Sequence, residues 1–239
     1  MYGCTIIFKQ LIMAVSVNTV YQRVLAIANK EQRGYVTPQE FNLFANQAQM
    51  DIFEQYFYDI NQFNRAPGND TEYSNMLDLL NEKIAIFQKY KQDISVSGAS
   101  VGTLPSDVYR LGTVMYVGST YPIEIDEVRH NDLLDLEKSP LTRATLARPY
   151  YIRLTKTTIE LYPSTLASSS DIRCNYVDKP TTASFDYIVV NGEALYNSTN
   201  SVDFELHESE ETELVLKILA LAGVSIEDPQ LYQIASSEE

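Results

Sequence analysis

Two histidines, two cysteines and thirty-two carboxylates are the groups from which this chain would build acid–base, nucleophilic or metal chemistry. His130 and His207 lie among charged neighbours, the setting of solvent-facing side chains rather than of a poised base. The string His207-Glu208-Ser209-Glu210-Glu211 lacks the second histidine that would put two imidazoles on one helical face around zinc. Two scattered cysteines and two distant histidines do not make the three or four ligands of a tetrahedral site. In a chain of this size Cys4 and Cys174 read as reduced thiols rather than as a staple. No glycine-rich phosphate loop ending in Lys-Ser/Thr occurs, and no Gly-x-Ser-x-Gly nucleophile elbow. Glu210 and Glu213 are spaced like an acid–base couple, but the charged face of an amphipathic helix accounts for them. Asn69-Asp70-Thr71 and Asn197-Ser198-Thr199 match the glycosylation pattern, which recurs by chance. The expectation is a non-enzyme, with no catalytic residue, cofactor or metal.

Composition narrows the partners. The chain has 239 residues, 45% of them hydrophobic, enough for a sizeable core. Its formal net charge of -14 repels a phosphate backbone instead of neutralising it, which argues against sequence-specific nucleic-acid binding. Seventeen tyrosines without a tryptophan suit surfaces half-buried against a partner, or ordinary strands. Residues 1–14 (MYGCTIIFKQLIMA) hold a short apolar run interrupted by Lys9, with no basic residue ahead of it, so it is a poor signal peptide. Met13 stands just before a good helix, so residues 1–14 read as an extension from an upstream start. No run reaches the roughly 18 apolar residues of a membrane span.

Three helices are predicted in the first third. Val20, Val24, Ile27 and Ala28 recur at helical spacing over residues 17–33, with Gly34 as stop. Thr37-Pro38-Gln39-Glu40 forms a capping box with proline at the first helical position. Apolar residues then keep the helical period to Phe63, a helix of roughly 39 Å. After the Pro/Gly-containing loop at 64–70, Thr71 caps a third helix to about Tyr90. From Ile94 the period changes to two. A flexible stretch at 95–103 precedes residues 104–111, which lead from a turn into a strand through Tyr116, and strands follow at 123–128, 150–154, 158–162, 172–177, 187–190 and 193–196, with a short helix after Asn131 and an Asn191-Gly192 hairpin turn. A strand at 202–206 leads into a helix over 209–222 stopped by Gly223, and Asp228-Pro229 opens a terminal helix.

The predicted fold is therefore α+β: an N-terminal antiparallel helical hairpin or bundle (15–93), a small antiparallel β domain (94–206) and C-terminal acidic amphipathic helices (207–239). Charge is segregated along it. Residues 129–156 hold six basic residues against three acidic, and residues 202–239 hold ten acidic against Lys217 alone. The long helix spreads Phe41, Phe44, Phe53, Tyr56 and Phe57 beyond a narrow stripe, more apolar surface than a three-helix unit would cover, which makes them candidate subunit-interface residues. Arg143, Arg148 and Arg153 join them as cations able to meet a neighbour's acidic tail, where Glu208, Glu210, Glu211 and Glu213 are candidates for docking or for lining a lumen.

The order of these elements, with Leu104-Pro105-Ser106-Asp107-Val108-Tyr109-Arg110 opening the strand-rich region, Leu161-Tyr162-Pro163 and Tyr176-Val177-Asp178-Lys179-Pro180 at strand ends, and a closing acidic helix, resembles head-to-tail connector (adaptor) proteins of tailed bacteriophages. Gly34-Tyr35-Val36-Thr37-Pro38-Gln39-Glu40-Phe41-Asn42 and residues 214–235 are similar to virion structural proteins of crAss-like and marine phages. The resemblance implies a structural protein of the virion neck or tail, assembled in the host cytoplasm as a homo-oligomeric ring of about twelve copies. Its implied partners are other copies of itself, the portal protein and other tail or ring proteins, with DNA only in passage and no membrane. The alternatives are another tail or head-completion ring protein, or a secreted ligand-binding module.

Overall fold

The structure, a computed structural model, describes residues 14–30, 36–63, 65, 76–98, 100–118, 121–168, 171–190 and 193–225. Among these residues the helices are α1 (Val17–Lys30), α2 (Pro38–Phe63), α3 (Met76–Ala85), α4 (Leu133–Lys138) and α5 (Glu211–Ser225). The strands are β1 (Gln88–Asp93), β2 (Ser95–Val96), β3 (Val101–Thr103), β4 (Val108–Tyr116), β5 (Ile123–Glu127), β6 (Tyr150–Arg153), β7 (Thr158–Tyr162), β8 (Ile172–Asp178), β9 (Tyr187–Val190) and β10 (Glu193–Tyr196). They form two compact units. One is discontinuous, joining Met1–Ile86 to Pro180–Glu239, and the other is the intervening Phe87–Lys179. Charge follows this division: the strand-rich unit has eleven basic and eleven acidic residues, so the whole -14 falls on the helical unit, with seven basic and twenty-one acidic.

In the helical unit the capping box forms as its sequence requires. Glu40 donates its N–H to Thr37 Oγ1 at 3.3 Å, and Thr37 donates its N–H to Glu40 Oε2 at 3.0 Å. The Thr37 hydroxyl, donating to Glu40 Oε2 at 2.7 Å, and then the Thr37 N–H hold the Glu40 carboxyl below its ordinary range. The organising helix is α5. Leu214, Val215, Ile218, Leu219 and Ala222 are all buried, and α5 packs against both α1 and α2, while α3 packs on α2.

The strand-rich unit is an eight-stranded mixed sheet in the order β1-β8-β4-β5-β6-β7-β3-β2. Its two terminal strands, β1 and β2, are separated in sequence by Ile94 alone, so the sheet curls until its ends nearly meet. Ile94 is 3% exposed and donates its N–H to Ile172 O at 3.0 Å. Two bulges assist the curl. β1 is irregular between Lys89 and Gln92, and β4 between Leu111 and Val114, both opposite Asn175 of β8. Lys91 takes φ 53° there, and its N–H donates to Asn175 Oδ1 at 2.9 Å. At the other bulge a Cβ on Gly112 would lie 3.0 Å from the Asn175 carbonyl oxygen, so β8 would have to shift by a few tenths of an ångström to admit a side chain. Alternate residues of β7 and β8 point inward to a core of Leu104, Val114, Ile125, Ile159, Leu161 and Ile172, the filling expected inside a rolled sheet of this size.

The predicted architecture of a helical hairpin, a small antiparallel β domain and separate C-terminal helices is overturned. The sheet is large and mixed, because β5 and β6 pair in parallel. A parallel pair needs a crossover of a dozen or more residues, and residues 128–149, with α4 in them, supply it. β9 and β10 form their own two-stranded ribbon in the helical unit. The N-terminal helices do not stand alone as a hairpin; α5 gathers them. The third helix ends at Ala85, and Gln88–Asp93, mostly exposed, is an edge strand. The stretch at 95–103 is not a flexible linker but contains β2 and β3, which pair with each other, β3 pairing also with β7. Residues 202–206 make isolated bridges, Ser184 with Val202 and Val15 with Phe204, and α5 runs through Gly223 to Ser225. Residues 1–13 of the predicted 1–14 extension, the Gly34 stop, the Thr71 cap, the Asn191-Gly192 turn and the helix after Asp228 lie outside the described residues.

Candidate interaction surfaces

The aromatic residues of α2 are placed inward. Phe41 and Phe53 are 0% exposed and Tyr56 4%, while Phe44 and Phe57 are half-buried. The apolar surface that α2 leaves open belongs instead to Leu43, Tyr58 and Phe63. Tyr21 of α1 lies between Phe41, met edge-to-face, and Phe185, met at a tilt, with ring centroids 4.9 and 4.3 Å away, and Phe185 meets Tyr196 at 5.3 Å.

That ring cluster is one of two devices fixing the segment that leads into the ribbon. The other is a ladder of side-chain amides. Asn42 donates to Phe185 O at 3.2 Å and accepts from Phe185 N–H at 2.8 Å; Asn46 does the same with Ala183, both at 2.9 Å. Gln49 donates to Thr181 O at 2.7 Å. Positions 42, 46 and 49 share one helical face. Four helical residues rise roughly 6 Å and two strand residues roughly 6.6 Å, so alternate residues of an extended chain meet successive amides. The helix acts as a sheet edge for residues 181–185.

Beyond this anchor the ribbon stands bare. Ile188 and Leu195 are cross-strand partners on one face, and Val189 is on the other. They are 56%, 51% and 62% exposed, so neither face is covered. At the base, Asn197 donates to Asp186 Oδ2 at 2.7 Å and its N–H to Asp186 O at 3.0 Å, which gives the asparagine of the glycosylation-like triplet a structural task.

The acidic candidates divide by role. Glu210 is 4% exposed and paired with Lys83, with Ser209 Oγ donating to it at 3.0 Å, so it ties α3 to the start of α5. Lys83 Nζ also lies 5.7 Å from the Tyr56 ring centroid. Burial, then Glu210 and Glu213, raise the Tyr56 hydroxyl well above its usual range. Glu211 pairs with Arg23 at 3.2 Å and Glu213 with Lys217 at 3.8 Å; Glu208 is exposed. His207 Nδ1 accepts the Ser209 N–H at 3.2 Å and caps the turn before α5.

In the strand-rich unit Arg143 and Arg148 fasten the crossover, and Arg153 the turn between β6 and β7. Arg143 donates to Glu137 O from Nε at 3.3 Å, Arg148 to Leu141 O at 3.1 Å and Arg153 to Lys156 O at 3.4 Å. Tyr150 donates to Glu137 and stacks on Tyr162, centroids 5.4 Å apart. Burial, and then that bond, push the Tyr150 hydroxyl up to about 12. The crossover leaves Leu134, Leu141 and Leu146 exposed. His130 is exposed, and among the described residues no three His, Cys, Asp or Glu side chains gather to hold a metal ion, and no helix is long and apolar enough to cross a membrane.

What sequence reasoning missed is the amide ladder and the bare ribbon. Asn42, Asn46 and Gln49 at helical spacing beside an aliphatic stripe were the available signal for the first, and Ile-Val-Val without lysine or proline for the second. No known family model matches the chain, and no curated protein matches it.

Proposed function

We propose that this chain is a structural, non-enzymatic protein that works as one copy of a closed homo-oligomeric ring, and within that class as a head-to-tail connector of a tailed bacteriophage. It docks beneath the portal, extends the DNA channel and presents a surface to the tail. One observation carries the self-association: an anchored ribbon exposing Ile188, Val189 and Leu195 on the unit that bears the entire net charge. Monomeric proteins rarely leave such edges and faces bare without lysine, proline or a covering element. The position in the virion rests on the resemblance of the strand-end and capping segments. An acidic protein suits DNA in transit, since it gives phosphates no counter-charge to settle on.

Mass measurement of the purified protein, alone and mixed with portal rings, tests the reading. Rings of one subunit type that bind the portal are expected. A persistent monomer that never joins a ring refutes it.

A further inference from the structure

A second unpartnered surface lies on the same unit as the ribbon. Between α1 and α5 an open groove of about 360 Å³ is lined by Ala26 and Ile27 on one side and Thr212, Val215 and Leu216 on the other, with Arg23 at its rim. Ile27 is 39% exposed although it follows the helical stripe of α1, because α5 does not close over it. The rim cation is matched: Arg23 pairs with Glu211 across the same two helices. The groove is thus apolar in its walls and locally balanced in charge.

We propose that the β9–β10 ribbon of one copy seats in the α1–α5 groove of the next, so that the ring closes through a ribbon-in-groove contact. This rests on the ring reading above and names its joint. Electrostatics selects a second copy as occupant. Each helical unit carries -14, so copies repel unless they meet where charge is absent or paired. The ribbon segments Tyr187–Val190 and Glu193–Tyr196 contain one charged residue, Glu193, and the groove lining contains only Arg23. These are two surfaces of one unit on which like charge does not oppose contact. A protruding apolar element and an apolar cleft are also different shapes, so the contact is heterologous, the type that generates rings. A two-stranded ribbon is marginal by itself and gains stability once a face is covered. Its anchoring by Phe185, Tyr196, Asn42 and Asn46 fixes where it points before a neighbour arrives, which lowers the ordering cost of association.

A heterologous joint has a signature that a symmetric one lacks. A ribbon variant, Ile188→Asp with Leu195→Asp, keeps its groove; a groove variant, Ala26→Asp with Ile27→Asp, keeps its ribbon. Under conditions where the wild type assembles, each variant alone should run as a 27.1 kDa monomer, and a one-to-one mixture should double in mass and stop there. Circular dichroism confirms that each is folded. As a measurement that leaves the surfaces nearly native, Val189→Cys with Ile27→Cys in a Cys4→Ser background should form oxidised ladders between copies. Assembly of either variant like the wild type, a mixture of folded variants that stays monomeric, or absence of ladders overturns the joint while the ring reading stands. Variants that ring normally but no longer bind the portal assign the ribbon to that partner and equally overturn it. A wild type that never assembles overturns both.

Discussion

Replacing Asn46 by alanine tests whether the amide ladder holds the helical unit together. Asn46 exchanges two bonds of 2.9 Å with Ala183, whose residue is 2% exposed. Alanine leaves that N–H and C=O without their partners. An unmade bond to a buried backbone group costs about 1–3 kcal/mol, and these bonds are only part-buried, so water reaches one side and the low end of the range, about 1–1.5 kcal/mol, applies to each, about 2–3 kcal/mol in total. With a urea slope of about 2 kcal/mol/M, the unfolding midpoint should fall by roughly 1–1.5 M. Gln47→Ala is the control: it lies on the same helix, its bond to Asp51 is exposed, and it should stay within about 0.5 kcal/mol. Amide exchange adds a local readout, since the Ala183 N–H should lose protection out of proportion to the global change. A midpoint shift below roughly 0.3 M with the Ala183 amide as slow as in the wild type refutes the reasoning.

The pair of half-buried Lys83 and buried Glu210 should show strong coupling. Lys83→Met leaves an uncompensated carboxylate and should destabilise by about 2–3 kcal/mol, whereas Lys83→Met with Glu210→Gln should recover more than half of it; additive losses in a double-mutant cycle rule the coupling out. At alkaline pH the sign is fixed by which state holds its protons. Burial raises Tyr150 and Tyr162 from 10.0 to about 12 and Cys174 from 9.0 to about 11, so the unfolded chain ionises first. Stability from these groups is complete below about pH 9 and is lost as pH rises towards about 12, which melting temperatures falling across that window would register and a flat profile would contradict. Gly112→Ala presses a methyl against the Asn175 carbonyl and should cost about 1–3 kcal/mol by urea denaturation, with an unchanged midpoint showing that β8 yields freely.

Legibility in the sequence tracked how local the determining physics was. The start of α2 was readable because Thr37, Pro38 and Glu40 satisfy backbone groups within one turn. β7 and β8 were readable because alternating burial leaves a period-two trace. β1 was not, since Gln88–Asp93 is an exposed edge whose pairing with β8 is the only reason it is extended. β3 looked like a linker because it needs small residues: a Cβ on Gly102 would sit 2.9 Å from Ile94 Cγ2. The aromatic side chains of α2 were read as surplus because the elements that cover them, α5 and the segment around Phe185, arrive more than a hundred residues later. The arginines at 143, 148 and 153 were read as free cations, although each serves a carbonyl nearby.

The discontinuity of the helical unit has a consequence for synthesis. At about 5–20 residues per second, α1 to α3 wait roughly 6–25 s between the emergence of Ile86 and that of α5. The strand-rich unit has its whole sequence in hand during that interval and folds as an insert, while its host remains open. The ribbon is made before α5, and the groove only with it. A chain interrupted before Glu211 therefore carries a plug without a socket, and on the ribbon-in-groove joint it could enter a ring on one side but never pass the contact on. On that proposed joint, closure of a ring would proofread its subunits for having been finished.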